Sequence, residues 1–196
     1  MKRSKYFLVI IIIVILVLAF TLASQQQKTS VAGNKQLLSE ALTLLDLSID
    51  NKTTVGMLEN FKQKVDGDSF AEDLINEAIW LQRFGEYHHA GHSLTFLALY
   101  IKDGSKYLCP GHEIEHVELF VKHNNFDLLD ETIQNVEDSY QQWKEDVYAK
   151  KAKSPAYYTN LDDVVKTMDI ALAKIKAGNY NISTEVEFLT ENDVCA

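Results

Sequence analysis

An all-α domain following a single N-terminal membrane segment is the architecture this sequence predicts, on three observations. Residues 1–26 join three cations (Lys2, Arg3, Lys5) to an unbroken apolar run from Tyr6 to Ala23. Beyond them, apolar residues recur in steps of three and four almost to the C-terminus, the period of a helix with one buried face. No stretch alternates with the period of two that a half-buried strand requires, except the short run Thr184 to Phe188. These observations divide the 196 residues into a membrane anchor or signal at 1–26 and an extracytoplasmic helical domain at 27–196.

The apolar run is as long as a bilayer-spanning helix needs, about 18 or more residues. It also ends on the small residues Thr21 and Ala23, which suit signal cleavage. An uncleaved anchor gives a single-pass membrane protein, and cleavage gives a secreted one. In both cases the cations stay in the cytoplasm and everything after Gln25 is exported.

The helices follow in order. Leu37, Leu38, Ala41, Leu45 and Ile49 form a first stripe. A shorter helix follows Thr54, carrying Met57, Leu58, Phe61 and Val65 up to Gly67. Ser69 and Glu72 have the spacing of a capping box and open a third, with Phe70, Leu74, Ala78 and Leu81 on its inner face. Gly85 interrupts it, and the next runs from about Glu86 to Lys102, before Asp103-Gly104. Pro110-Gly111 opens a fifth that ends near His123-Asn124-Asn125, since proline is tolerated in a first helical turn. The longest stripe is Leu129, Ile133, Val136, Tyr140, Trp143 and Val147, and a basic loop is expected from Lys150 to Pro155. Thr159 or Asn160 then caps the last clear helix, with Asp162 and Asp163 favourable to its dipole and Gly178 as its stop.

Three breaks share one form. Phe84-Gly85-Glu86-Tyr87, Asn124-Asn125-Phe126-Asp127 and Gly178-Asn179-Tyr180 each set a residue tolerant of left-handed backbone before an aromatic. With Ala90 after the first, this resembles the helical hairpins of tetratricopeptide-like repeats, over about residues 70–148. The resemblance implies antiparallel hairpins, in a repeat or an irregular bundle, serving as a scaffold for protein interaction with no catalytic residues.

Composition narrows the function. With 19 Lys+Arg against 28 Asp+Glu and a net charge of −9, the chain lacks the cations that phosphate backbones demand, so nucleic acid is excluded as a partner. Cys109 and Cys195 are the only cysteines, and an oxidising compartment would let them pair. That bridge would stabilise the fold by about 4–5 kcal/mol in the chain-entropy model.

All six histidines lie between His88 and His123. On a helical wheel His88, His89 and His92 share a face with Phe96, Leu99 and Tyr100, away from the Leu94 stripe. His112, His116 and His123 fall with Leu119 on one strip of the next helix, between Val117/Val121 and Glu115/Glu118. The short connection from Asp103 to Cys109 makes the two helices antiparallel neighbours, so these faces can meet. Histidines one turn apart, as in His88/His92 and His112/His116, can offer two nitrogens to one Zn²⁺ or Cu²⁺. A site would bring together at least three of the six, with His89 or His92 joined by His116 and His123. The bland alternative is a set of histidines at helix boundaries, hydrogen-bonding locally.

His112-Glu113-Ile114-Glu115-His116 also matches the HExxH string and so resembles the zincin metallopeptidases. That resemblance implies His112 and His116 as zinc ligands, Glu113 as the base, and His123 or a downstream Glu as third ligand. The flanks depart from the zincin pattern: Pro110 precedes the first His closely, Glu115 and Glu118 stand where uncharged residues are usual, and no strand offers a substrate edge. The sequence therefore favours a membrane-tethered accessory or interaction subunit with a protein partner. Its rival is a histidine-rich Zn- or Cu-binding protein, with a peptidase as the extension of that rival.

Overall fold

A computed structural model describes residues 30–106, 108–153 and 160–192. The expected N-terminal membrane segment, Cys195 and the loop after Lys153 lie outside the described residues. Among those described, no helix is long and apolar enough to cross a membrane.

The described residues form eight helices and no strand: α1 (Lys35–Ile49), α2 (Val55–Val65), α3 (Ser69–Arg83), α4 (Tyr87–Asp103), α5 (Pro110–Lys122), α6 (Phe126–Lys153), α7 (Leu161–Lys176) and α8 (Ser183–Glu191). Local chemistry fixes their starts. Asn34, Thr54 and Asp68 each accept backbone N–H bonds of the first turn that follows. At α3 the cap is therefore Asp68, one residue before the expected Ser69, while Glu72 reaches back to the N–H of Gly67. The three aromatic-flanked breaks each contain a left-handed residue, Gly85 at φ 78°, Asn124 at φ 56° and Gly178 at φ 68°.

Two expectations are corrected. Thr184–Phe188 is not a strand but part of α8, whose inner side chain Leu189 is buried. Five residues of alternation are too few to outweigh a helix that can dock on α5 and α7. The basic segment after Lys150 is helical as far as Lys153, because lysines favour the negative end of the α6 dipole.

Two apolar clusters make up the core. The first joins α1 to α4 through Leu37, Leu58, Phe61, Ile75, Leu94, Leu97 and Ile101. The second joins α5 to α8 through Ile114, Val117, Phe120, Val136, Trp143, Met168 and Ile175, and also takes in Leu81 and Ala90. The long α6 stripe faces this second cluster as expected, with Ile133 partly buried and the other five buried. In α1 the inner face is rotated: Leu44 and Ser48 are buried and Ile49 is exposed, because α1 packs on α4. Between the clusters, where α3 and α4 meet α5, lies a polar seam.

Candidate metal centre

The seam begins with Glu77. It sits on the buried face of α3 and is 6% exposed. One carboxylate oxygen, Oε1, accepts from His116 Nδ1 at 2.9 Å, and Oε2 accepts from Ser93 Oγ at 2.8 Å. Three helices thus converge on one carboxylate, α3 supplying it, α4 the hydroxyl and α5 the imidazole.

Residue levels show that α4 and α5 run antiparallel. His92 stacks on His112 with ring centroids 3.7 Å apart and planes 8° from parallel. One turn along, His89 meets His116 edge to face at 5.6 Å. Further still, His123 Nε2 lies 3.5 Å from Glu86 Oε1. His123 therefore falls beyond the end of the histidine row. It packs instead against Phe84 at 4.5 Å and Trp80 at 5.5 Å, and does not join the ligand set expected for it. Seven residues of chain carry it about 10 Å past His116, to the level of Glu86, ahead of the first histidine of α4.

Three histidines do converge. One ring nitrogen from each of His89, His92 and His116 lies within 4.8 Å of the other two. A second group shares His92 and adds His112 and Glu115, and a third shares His116 and adds Glu77 and Glu113. Small side-chain rotations close such spacings to the roughly 3–4 Å between nitrogens that bind one ion at about 2.0–2.1 Å. His89 and His92 of the first group, and all of the second, line a cleft of about 430 Å³, while His116 is buried behind them. His88, His89, His92, His112, Glu115 and Glu118 line it on one side, and Val186, Leu189 and Thr190 of α8 on the other. His88 is exposed at its rim, with its ring 4.3 Å from that of His92, and joins none of the groups.

The electrostatics suit metal ligation. Burial, aided by neighbouring imidazoles, pushes His89 down to about 3 and His92 down to about 2. Both rings are therefore neutral near pH 7, as a ligand must be. Burial also works against charge on His116, but the Glu77 carboxylate and its hydrogen bond outweigh it and raise this ring to about 9. In the metal-free protein it is therefore protonated near pH 7, and an ion must displace its Nε2 proton to bind. His92 Nδ1 and His116 Nε2 are buried without a hydrogen-bond partner among the described residues. Glu77 thus holds His116 by Nδ1 and leaves Nε2 without a hydrogen-bond partner, the arrangement in which a carboxylate orients a metal-binding imidazole once the Nε2 proton is lost.

No protein-family model, curated protein or solved structure matches this chain. The chemistry rests on the side chains.

Glu113, the base that the zincin resemblance implies, is 1% exposed and is not among the residues lining the cleft. It turns toward Glu77 and His116, inside the protein. Cys109 is buried at the start of α5, and the expected pairing with Cys195 falls outside the described residues. Glu77, Ser93 and Thr190 are the contributors that sequence reasoning missed. Thr190 Oγ1 donates to Glu115 Oε1 at 2.5 Å and ties α8 to the cleft. Glu77 left a legible signal, a carboxylate one turn from Leu74 and Leu81 on an otherwise apolar helix face.

Behind Glu77, Asp73 and Glu131 face each other in a small pocket between α3 and α6. Burial and the facing Asp73 carboxyl raise Glu131 to about 7 from an ordinary 4.5. For an acid raised on folding, the stabilising contribution is complete below about 4.5 and is lost as pH rises through about 7. Glu131→Gln should therefore raise the urea midpoint of the metal-free protein at pH 8 and leave it nearly unchanged at pH 4.5. Equal effects at both pH values would contradict this assignment.

Proposed function

We propose that this chain is a membrane-tethered, divalent-metal-binding protein that holds Zn²⁺ or Cu²⁺ through His89, His92 and His116. The observation that carries the reading is the convergence of these imidazoles, His89 and His92 lining an open cleft and His116 buried behind them and anchored on Glu77. Leaving a buried polar atom unpartnered costs about 1–3 kcal/mol. Nothing in an interaction scaffold accounts for concentrating that cost on one seam, and a bound ion accounts for it directly. Imidazole donors without thiolate suit Zn²⁺ and Cu²⁺ among common ions. His112 or Glu115 stands near enough to complete the coordination from the cleft side.

The reading is binding, for carriage or sequestration, rather than peptide hydrolysis. Peptidase chemistry would need Glu113 beside a water in the cleft, whereas the cleft-lining carboxylates are Glu115 and Glu118. Protein purified without a histidine tag should contain Zn or Cu in stoichiometric amount by elemental analysis. The double variant His89→Ala/His92→Ala should carry one equivalent less. Metal-free protein, or a double variant with undiminished content, would overturn the proposal.

A further inference from the structure

The third group, Glu77, Glu113 and His116, has a different chemistry and lies on the inner side of the seam. All three side chains are buried, and one ligand atom of each lies within 4.8 Å of the others. Glu113 is the decisive residue. Both of its carboxylate oxygens are buried with no hydrogen-bond partner among the described residues. Buried carboxylates elsewhere in the protein are satisfied: Glu77 by His116 and Ser93, Glu115 by Thr190. Among the described residues no Lys or Arg pairs with Glu77, Glu113, Asp73 or Glu131. Acidic groups therefore face one another across the seam with only His116 to offset them.

We infer that Glu77, Glu113 and His116 form a second, buried cation site, distinct from the cleft and taking a divalent first-row ion through two carboxylates and one imidazole. The sequence supports the geometry. Glu113 and His116 are three residues apart on α5, so both project from one face one turn apart, and Glu77 meets them from α3. A Glu-x-x-His pair facing a Glu from a neighbouring helix is an established way for a helical bundle to hold a metal in its core. Each Glu77 oxygen keeps a second lone pair beyond its present hydrogen bond. With oxygen predominating, the site is harder than the cleft and accepts Zn²⁺, Fe²⁺ or Mn²⁺. His116 belongs to both groups, so with both sites filled it would bridge the two ions through Nδ1 and Nε2, giving up both ring protons and its hydrogen bond to Glu77. The cleft is the route by which an ion would reach the inner site. The inference does not require the cleft site to be filled.

Zn²⁺ binding to the full chain in detergent, measured by equilibrium dialysis and elemental analysis, tests this. Wild type should bind two equivalents, Glu113→Gln one, and His89→Ala/His92→Ala one. Glu113→Gln binding as much Zn²⁺ as wild type overturns the buried site and leaves the cleft proposal standing. A single ion on wild type that is lost in Glu113→Gln and kept in His89→Ala/His92→Ala overturns the cleft proposal and leaves the buried site standing. No Zn²⁺ on wild type overturns both. A second measurement needs no variant: X-ray absorption of wild type should show the second equivalent adding an oxygen-dominated shell. If it adds imidazole scattering alone, both ions lie in the cleft and the buried site is wrong.

Discussion

His116→Ala should destabilise the metal-free protein by about 3–5 kcal/mol, the cost of removing one member of a buried ion pair. His116 is fully buried, and its Nδ1–H reaches Glu77 Oε1 at 2.9 Å. Alanine leaves the Glu77 carboxylate buried with only the Ser93 hydroxyl to solvate it, and opens a cavity between α3, α4 and α5. Because Glu77 raises His116 to about 9, the pair's contribution is complete below about 6.5 and fades as pH rises through about 9. The destabilisation should accordingly be larger at pH 6 than at pH 9.5. Glu113→Gln provides the contrast. Burial and the charge of Glu77 hold the Glu113 carboxyl well above the usual carboxylate range, so an uncharged amide of the same shape should cost little in metal-free protein. Urea unfolding of the variants at both pH values checks this. A His116→Ala cost below about 1 kcal/mol at pH 6 would mean that the pair does not hold the seam.

Phe120→Ala should cost about 3–5 kcal/mol, the usual range for truncating a buried aromatic. Phe120 is fully buried one turn after His116, and its ring meets that of Trp80 edge to face at 4.6 Å. It thereby clamps α5 against α3, the helix that delivers Glu77. The variant should also shift the fluorescence of Trp80, which is only partly buried in the parent. A loss under about 1.5 kcal/mol would show that the α3–α5 contact is carried elsewhere.

What could be read from the sequence, and what could not, divides along physical lines. The helices and their breaks were legible because period, caps and left-handed residues are local properties. Gly85, Asn124 and Gly178 mark helix ends in the sequence as they do in the fold. The α1 face was misplaced because Leu44 and Leu45 are equally apolar, and only the partner helix α4 decides which one turns inward. The histidine row was legible as two faces on adjacent helices, but not its register. His123 belongs to the same strip as His116, yet α4 begins at Tyr87 and offers it Glu86 in place of another imidazole.

The HExxH string is the sharpest motif in the sequence, but a match by itself says nothing about where each residue points. Glu113 lies about 100° around the helix from His112. It is carried into the core, while His112 stays at the cleft on His92. The inward position of Glu77 is legible from the apolar residues around it on α3, but its partners His116 and Ser93 are not, because they are distant in the chain. The preference between interaction scaffold and metal protein also depended on this register. Scattered histidines would have favoured the scaffold, and convergent ones favour metal.

The cleft proposal stands or falls on one ion bound among His89, His92 and His116. The most direct test is Zn K-edge X-ray absorption on Glu113→Gln protein loaded with a single equivalent of Zn²⁺, so that the cleft alone reports. The account predicts the multiple scattering of three imidazoles at about 2.0–2.1 Å, completed by one further donor. A first shell of oxygen without imidazole scattering would contradict it.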